Sequence, residues 1–472
     1  MSAQNSRQAG HAGEPVVRRS PTHRQPAGHK QRLLGNGNSH RGDKKNSPHR
    51  QVAIVGNGGN QEIEAHGWRG VCIVQRGFCT KRCTPVYINV GLTAKALYLS
   101  YVGRPFQARR WIVVTFFLLL LSLFWIVVAA GRALDHLLYP GFRRQKIRQP
   151  VFVIAPPRSG TTFLQKLLAK NRETFAPVLM YQTIFPSITI QKVIHAIAAA
   201  SQTKSGLLAD ISSWVERHCF GGWDGMHKMR FAEPEEDDGF FVYTFVTEAI
   251  YLLFPYVRAL WGAGFADDLP PRQRRRLMRY YRSCLQRHLY LNGPDKILLS
   301  KATQLSGSIQ CLRAEFPDAR IINILRNPVE SIPSHISVFY TVWNWVDPKI
   351  RKDGPESREY AELAAAWFLH LENYDIVSKP ESYLRIFYSD LVRDPDAVAR
   401  SIYTHFGIPL TPRAARQIET EARRALEYKS SHHYTLEEYG LDGDWIKREV
   451  GGLMKRYKFS LKPDHAFRGS KR

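Results

Sequence analysis

The chain has 472 residues, enough for one large domain or two of ordinary size with an ample hydrophobic core. Its net charge of +26 predicts polyanionic partners such as nucleotides, acidic membranes or acidic glycans. The six cysteines are scattered, and the part of the chain that looks folded contains only Cys219, Cys284 and Cys311. An odd, dispersed set argues against a disulfide framework and favours free thiols in a reducing compartment.

Residues 1–90 are predicted to form a basic, low-complexity tail. The first sixty residues are rich in Gly, Ser, Asn, Gln, His and Arg and contain no aromatic residue. Such a segment buries too little apolar surface to offset the entropy lost on ordering, so we expect disorder. A nucleic-acid-binding arm is disfavoured because no aromatic side chains interleave the charges. Cys72, Cys79, Cys83 and nearby His66 do not match the spacing of a zinc site, so we expect no metal there.

The run from Trp111 to Ala130 is twenty residues long and contains no charge. As a helix it would be about 30 Å long, which is the thickness of the hydrocarbon core of a bilayer. A soluble core helix of this length rarely lacks a polar face, and a secretory signal peptide would lie at the extreme N-terminus. The run therefore predicts a single transmembrane helix. Basic residues flank both ends, with a slight excess on the C-terminal side, which leans towards a cytoplasmic C-terminal part.

A strand, a tight loop and a helix follow from Pro150 to Lys170. Val151 to Ala155 is an apolar run typical of a strand buried on both faces, and from Thr161 apolar residues recur at helical spacing. The backbone N–H groups and the helix N-terminus at such a turn attract an anion, and Arg158 adds a positive charge. The segment is not the nucleotide-triphosphatase loop, because no Lys follows Gly160. It predicts either a phosphate cradle or an ordinary turn of an α/β domain.

The remainder of the chain alternates strands with helices. Strands are predicted at Lys296–Leu299, Arg320–Leu325 and Leu384–Tyr388, and helices at about 185–220, Pro271–Tyr290, Gln304–Phe316, Glu359–Val377 and Pro395–Phe406. This alternation predicts an α/β domain whose parallel sheet is flanked by helices and preceded by the transmembrane helix. Arg326 follows the second strand, at the edge where open α/β sheets bind ligands, and Ser334 follows eight positions later. A cluster of carboxylates, FAEPEEDDGFF from Phe231 to Phe241, is either a solvated turn or the source of an active-site base.

Four blocks in order make the chain similar to the sulfotransferases that use 3′-phosphoadenosine 5′-phosphosulfate (PAPS), and in particular to their large bacterial-type family. PVFVIAPPRSGTTFLQKLLA resembles the 5′-phosphosulfate loop of that family, and FPDARIINILRNPVESIPS resembles its 3′-phosphate segment. FYSDLVRDPDAVARSIYTHFGIPLTP and HHYTLEEYGL resemble its C-terminal blocks. The resemblance covers about Leu134 to Asp444. It implies a sulfotransferase domain of residues 134–472 with the P-loop-like sulfotransferase fold.

The resemblance also implies roles for individual residues. The 5′-phosphosulfate of the donor would be held by Arg158, Ser159, Gly160, Thr161 and Thr162, and the 3′-phosphate by Arg326 and Ser334. These residue types suit the task, because an Arg fork matches a phosphate bidentately and backbone N–H groups need no metal ion to bind it. The implied reaction moves a sulfuryl group from PAPS, as co-substrate and without a metal, to a hydroxyl or amine of an acceptor. The acceptor is left open as a glycan, a lipid or a small molecule.

Two alternatives to this enzyme remain open from the sequence. One is a catalytically weak membrane protein that binds PAPS or its product adenosine 3′,5′-bisphosphate (PAP). The other is a nucleotide kinase, against which the missing GK[ST] sequence argues. No specific nucleic-acid partner is expected in either case.

The chain departs from the family pattern at two places near the expected reacting centre. Many family members carry Lys-Ser-Pro-x-His where this chain has Lys301-Ala302-Thr303-Gln304-Leu305, so the Lys is retained and the His is replaced. Family members also often show an aromatic residue followed by Glu, and the matching pair here is Tyr181-Gln182. Both changes remove groups that could titrate, so the identity of the catalytic base stays open.

The remaining concentrated source of carboxylates is the acidic block from Glu233 to Asp238. A base needs hydrogen-bond reach and a raised pKa, and neighbouring like charges raise carboxylate pKa values. Within the block, Glu235 and Glu236 best match the Pro-Glu-Glu block of the family, so we expect one of them, together with Lys301, to be catalytic. An equally open interpretation is that the block is a solvated turn or only positions a cation. The candidates ranked lower are Glu233, Asp237, Asp238, His227 and His335.

The catalytic domain is expected on the cytoplasmic face of a bacterial inner membrane. PAPS is made in the cytosol, and the chain has few cysteines and no evident signal peptide. A lumenal orientation, as in Golgi sulfotransferases that a transporter supplies with donor, is the alternative.

Overall fold

A five-stranded, fully parallel sheet forms the centre of the molecule. The computed structural model describes residues 86–202, 230–426 and 434–462. The strands are β1 (Val151–Ile154), β2 (Phe175–Pro177), β3 (Ile297–Lys301), β4 (Arg320–Leu325) and β5 (Tyr383–Phe387), in the order β2-β3-β1-β4-β5. The strand β1 is central, and it pairs with β3 on one side and with β4 on the other. The loops that leave these three strands therefore open at the same edge of the sheet.

The central strand is buried on both faces because its side chains alternate between two hydrophobic cores. Phe152 and Ile154 point into one core, with Ile321 of β4. Val151 and Val153 point into the other core, on the opposite face of the sheet. Strand β1 therefore packs against a hydrophobic core on each face of the sheet, as its apolar sequence predicts.

Helices cover both faces of the sheet and extend beyond its edges. The α-helices of the described residues are α1 (Val90–Tyr101), α2 (Ala108–Leu138), α3 (Thr161–Leu168), α4 (Met180–Ile184), α5 (Ile188–Gln202), α6 (Trp261–Gly264), α7 (Pro271–Asn292), α8 (Ile309–Glu315), α9 (Pro328–Val346), α10 (Pro355–Val377), α11 (Tyr388–Arg393), α12 (Pro395–His405), α13 (Pro412–Leu426) and α14 (Gly443–Tyr457). Short 3-10 helices lie at Pro140–Arg144, Asp237–Thr244, Glu248–Leu252, Ala266–Asp268, Thr303–Gly307, Pro380–Ser382 and Glu437–Tyr439. The predicted α/β class with a parallel sheet flanked by helices is confirmed.

Some boundaries differ from those that the sequence predicts. Strand β3 runs to Lys301 rather than to Leu299, which places Lys301 at the carboxyl end of the sheet. The predicted helix Gln304–Phe316 is divided, because a 3-10 turn at Thr303–Gly307 precedes α8. The three-residue edge strand β2 was not predicted, since it is short and ends in a proline. The predicted helix at 185–220 is α5 up to Gln202, and its continuation lies outside the described residues.

The apolar run near the N-terminus forms one long helix, α2, of 31 residues. It is the one helix of the described residues that is long and apolar enough to cross a membrane, by length and composition. The helix begins three residues before the predicted span and ends eight residues after it. Val114 and Val128 are fully buried, each in one of two hydrophobic cores of the α/β domain, so α2 packs against that domain.

Candidate active site

The loop between β1 and α3 has the geometry of an anion cradle. Gly160 adopts a left-handed backbone with a φ of 87°, and a Cβ atom there would lie 3.0 Å from the ring of Tyr388. A glycine is therefore required at this turn. Ser159 closes the loop by donating its hydroxyl to the carbonyl oxygen of Pro156 at 2.7 Å. In this described region no side chain caps the first turn of α3, so its N–H groups remain for a ligand.

Arg158 also has a left-handed backbone, with a φ of 64°, which is uncommon for a residue with a side chain. Such a conformation is sparsely populated and is retained where the surroundings hold it in place. Here the carbonyl oxygen of Arg158 accepts a hydrogen bond of 2.7 Å from Arg326 Nη1. The Nε atom of Arg158 donates to Ser334 Oγ at 3.1 Å. Both contacts fix the loop after β1 to the segment after β4.

The three residues expected at the two phosphate positions of the donor thus lie together. Arg326 follows β4 directly, and Ser334 lies on α9, two turns after the helix begins. Arg326 additionally pairs with Glu330 at 2.8 Å, and its guanidinium lies 4.3 Å from the centre of the Tyr388 ring. Arg158 and Arg326 both belong to this linked region and bring two positive charges to it, whereas Glu330 brings one negative charge.

Lys301 connects the cradle with the acidic block. Its side chain is fully buried at the end of β3. The Nζ atom donates to the hydroxyl of Thr162 at 2.9 Å and lies 2.6 Å from Glu236 Oε1 and 3.4 Å from Glu235 Oε1. Burial alone would favour the neutral amine, but the two carboxylates outweigh it and raise the pKa of Lys301 above its usual value. Lys301 is therefore a buried positive charge between the cradle and the carboxylates of Glu235 and Glu236.

The backbone of the acidic block is hydrogen-bonded to the elements around it. Glu235 N donates to the carbonyl oxygen of Val178 at 3.0 Å, and Gln165 of α3 donates to the carbonyl oxygen of Glu235 at 3.1 Å. Leu179 and Pro234 form an antiparallel bridge next to these contacts. The block therefore lies against the start of α4 and the side of α3, where Glu235 and Glu236 reach Lys301.

The other carboxylates of the block have different surroundings. Glu233 pairs with Lys166 at 2.5 Å and is partly exposed. Asp237 is buried and accepts hydrogen bonds from Tyr281 at 2.5 Å and from Ser300 at 3.0 Å. Burial raises the pKa of Asp237 to about 7, although these two hydrogen bonds oppose the shift. Glu233 is thus paired with α3, and Asp237 is held between α7 and β3.

Asp238 and Glu248 form a buried acidic pair behind Glu236. The closest carboxylate oxygens of the three residues lie within 4.8 Å of one another. Burial, together with the negative charge of Glu236, raises the pKa of Asp238 to about 8, and burial raises the pKa of Glu248 well above its usual value. The hydroxyl of Thr303 lies 2.9 Å from Glu248 and 3.3 Å from Glu236 and joins the pair to the site. Sequence reasoning missed Glu248, because nothing in its local pattern distinguishes it from a surface carboxylate.

The two departures from the family pattern have structural explanations. Leu305 is fully buried in a hydrophobic core, so the position at which the family carries His faces the interior of the protein here. Gln182 is buried, with its amide oxygen accepting from Leu179 N at 2.9 Å, and its amide nitrogen donating to Tyr181. It stabilises the first turn of α4.

Two histidines, His227 and His335, are lower-ranked candidates for the catalytic base. His335 is buried, and burial followed by the charge of Arg158 lowers its pKa well below the usual value. The ring Nε2 of His335 lies 3.0 Å from the hydroxyl of Tyr360, so His335 is a neutral, packed side chain. His227 lies outside the described residues.

The chain is similar in sequence to known sulfotransferases. A family model described as "Sulfotransferase family" matches residues 150–412. The omega-hydroxy-beta-dihydromenaquinone-9 sulfotransferase Stf3 of Mycobacterium bovis is 24% identical over 327 residues, covering 66% of this chain and 75% of the relative. The same protein of Mycobacterium tuberculosis matches equally well.

Two solved structures share the fold. The sulfotransferase STF1 of Mycobacterium tuberculosis has a TM-score of 0.59 at 19% identity, covering 77% of this chain and 91% of STF1. The sulfotransferase STF9 of Mycobacterium avium has a TM-score of 0.55 at 19% identity, covering 70% of this chain and 82% of STF9. At this level of identity the likeness concerns the fold.

The raised pKa of Asp238 predicts a pH-dependent stability. Its pKa of about 8 lies above the value near 4 of an unfolded chain, so folding is favoured while the carboxyl is protonated. This contribution is complete at acid pH and is lost as the pH rises to about 8, by at most about 1.4 kcal/mol per pH unit. We expect Asp238→Asn to gain thermal stability relative to the parent as the pH is raised from 5 to 8.

Thermal unfolding of both proteins across that range measures the effect. Asp295→Asn, in the exposed turn before β3, is the control and should follow the parent at every pH. A difference between Asp238→Asn and the parent that stays constant with pH would contradict the protonated state of Asp238.

Proposed function

Because this chain belongs to the sulfotransferase family, we propose that it transfers the sulfuryl group of PAPS to a hydroxyl group of a membrane lipid. The observation that carries the proposal is the convergence of two elements on one edge of the sheet. One is the linked pair of Arg158 and Arg326, and the other is the buried Lys301 that contacts Thr162. Together they supply three positive charges around an uncapped helix start, which suits a donor with several negative charges.

The residues of the cradle fit the donor without a metal ion. The N–H groups from Arg158 to Thr162 would hold the 5′-phosphosulfate, and the glycine at position 160 permits the close approach of backbone to ligand. Arg326 and Ser334 would hold the 3′-phosphate, with Arg158 between the two positions. The PAPS dependence of the family pattern supports this assignment.

In the proposed reaction the acceptor oxygen forms a bond to sulfur as the bond from sulfur to the 5′-phosphate oxygen breaks. The products are a sulfate ester and PAP. Sulfuryl transfer, like phosphoryl transfer, depends mostly on positioning and on the stabilisation of charge in a loose, in-line transition state. Lys301 and the N–H groups of the cradle would stabilise the charge that develops on the leaving phosphate. The buried position of Lys301 strengthens this effect, because solvent does not screen it.

The proton of the acceptor hydroxyl would pass to Glu235 or Glu236. Both carboxylates lie within 3.4 Å of Lys301, which in turn contacts Thr162 of the cradle. A carboxylate base must be within hydrogen-bond reach of the proton that it takes. The hydroxyl of Thr303 lies within hydrogen-bond distance of both Glu236 and Glu248. A second carboxylate is therefore close to the one that would take the proton.

A lipid acceptor is supported by two separate features. The mycobacterial relative is named for omega-hydroxy-beta-dihydromenaquinone-9, a hydroxylated lipid. The apolar helix α2 packs against the same unit as the site. We propose that the enzyme associates with the membrane through α2, with its catalytic domain in the cytoplasm where PAPS is made. The crossing of the membrane by α2 remains a prediction from its length and composition.

The alternative is a membrane protein that binds PAPS or PAP but transfers poorly. The observation in its favour is that Leu305 and Gln182 stand at the two positions where the family pattern has His and Glu. A transfer assay with PAPS labelled in its sulfate, using membrane lipid extract as acceptor, separates the two. Label that moves to lipid supports the enzyme, whereas PAP binding without any transfer supports the alternative.

The proposed contact of Arg326 with the 3′-phosphate can be tested by mutation. Arg326→Ala removes a guanidinium that would form charged hydrogen bonds to PAP, so the affinity should fall by about 1.5–3 kcal/mol, or about ten- to a hundredfold. Arg320→Ala, at the opposite end of the same strand, is the matched control and should bind PAP normally. Calorimetric titration measures both. Unchanged PAP affinity with lowered thermal stability in Arg326→Ala would mean that its pair with Glu330 is only structural.

The proposal that Glu235 or Glu236 is the catalytic base can also be tested by mutation. Glu235→Gln and Glu236→Gln, made singly, preserve shape but remove the negative charge. The variant that lacks the base should lose about 10²–10⁴-fold in turnover and still bind PAP. Glu233→Gln, whose carboxylate pairs with Lys166, is the control and should turn over normally. If both site variants turn over normally, the base lies elsewhere.

A further inference from the structure

Helix α2 has one face that is packed along its whole length. The packed positions recur every three or four residues and are Val114, Leu118, Leu121, Trp125, Val128, Arg132 and Asp135. The first three contact the core formed with α9 and α10, and Trp125 and Val128 contact the core on the sheet. A regular stripe of this kind is typical of a helix docked lengthwise on a folded domain.

The N-terminal end of α2 is fixed by a buried ion pair. Arg110 Nη1 lies 2.8 Å from Asp347, just after α9, and both side chains are nearly inaccessible to solvent. The neighbouring Arg109 donates to the carbonyl oxygen of Trp345 at 3.1 Å. Removing either member of a buried pair would leave an uncompensated charge, so this end is held firmly.

The C-terminal end of α2 is fixed by a second buried ion pair. Asp135 lies 2.7 Å from Arg287 of α7, with side-chain exposures of 0% and 1%. Asp135 also accepts hydrogen bonds from Thr189 N at 2.8 Å and Ile188 N at 3.1 Å, so it caps the start of α5. Gly131 allows α5 to approach, because a Cβ atom there would lie 2.6 Å from Ile190.

If α2 crossed the membrane, its two ends would lie on opposite sides of the hydrocarbon layer. From Arg110 to Asp135 a helix rises about 38 Å, more than the hydrocarbon thickness of about 30 Å. Asp347 and Arg287 nevertheless belong to the same folded unit. A crossing orientation would therefore immerse that unit in hydrocarbon or break one of the two ion pairs.

The opposite face of α2 is apolar and exposed. Ile112, Phe116, Leu119, Leu123 and Ile126 are each between 59% and 68% exposed. Val102 and Phe106, just before α2, and Val193 and Ile197 of α5, which packs on α2, are exposed apolar residues as well. Soluble proteins rarely expose a contiguous apolar surface of this extent, and such patches mark interaction sites.

We propose that α2 lies flat in the surface of an anionic bilayer, with this apolar face among the acyl chains and without crossing the membrane. The positive charge of the chain favours an anionic bilayer, rather than a second copy of the chain, as the partner of this apolar face. Exposed basic residues stand at both ends of the patch, namely Arg109 before it and Arg143, Arg144, Lys146 and Arg148 after it. A second copy would bring the same net charge of +26, whereas anionic headgroups neutralise it.

Topology tests the proposal directly. A flat α2 leaves both chain termini on one side of the membrane, whereas a single crossing puts them on opposite sides. Cells expressing the full chain with an N-terminal tag or with a C-terminal tag are converted to right-side-out and inverted vesicles and treated with protease. Cleavage of both tags in the same vesicle type supports the flat orientation. Cleavage of one tag in each type overturns it.

Vesicle flotation tests the surface itself. Leu119→Asp combined with Leu123→Asp should lower binding to phosphatidylglycerol-containing vesicles at least tenfold, with an unchanged circular dichroism spectrum. Ile376→Asp combined with Val377→Asp is the matched control, because it changes two exposed apolar residues at the far end of α10. It should bind like the parent. Equal binding of both variants would overturn the proposal, as would a parent that forms dimers which only the α2 variant disperses.

Discussion

The buried ion pairing of Lys301 with Glu235 and Glu236 is the interaction on which the site depends. The ammonium group of Lys301 is inaccessible to solvent and needs such partners to stay charged. Because Lys301 ends β3 beside the central strand, the same ammonium also reaches Thr162 of the cradle. One buried charge therefore joins the region that would hold the leaving phosphate to the region that would take the acceptor proton.

The second constraint is the attachment of α2 to the catalytic unit at both ends. Buried pairs with Asp347 and Arg287 make the helix part of the folded domain rather than a separate anchor. An enzyme held flat on the bilayer keeps a fixed orientation towards it, which suits an acceptor dissolved in the membrane and a donor dissolved in the cytoplasm. The flat orientation does not depend on the identity of the acceptor, so the two proposals can fail separately.

Much of this architecture follows from local patterns. The doubly buried strand, the left-handed glycine turn and the helix at Pro150–Lys170 were predictable, because apolar periodicity and Gly160 determine them within a few residues. The contacts of Arg326 with Arg158 and of Lys301 with Glu236 were not, because they join segments far apart in sequence. Glu248 was missed because its local sequence does not distinguish it from a surface carboxylate. The packing of α2 was missed because a uniformly apolar run does not reveal which face the protein covers.

The most direct test of the central claim is a calorimetric competition between PAP and ATP for the full-length protein. In the proposed donor site Arg326 and Ser334 would hold a 3′-phosphate, and ATP has no such group. PAP should therefore bind in the presence of excess ATP with nearly unchanged affinity. Tight binding of ATP that displaces PAP would contradict the account and would indicate a nucleotide-triphosphate site instead.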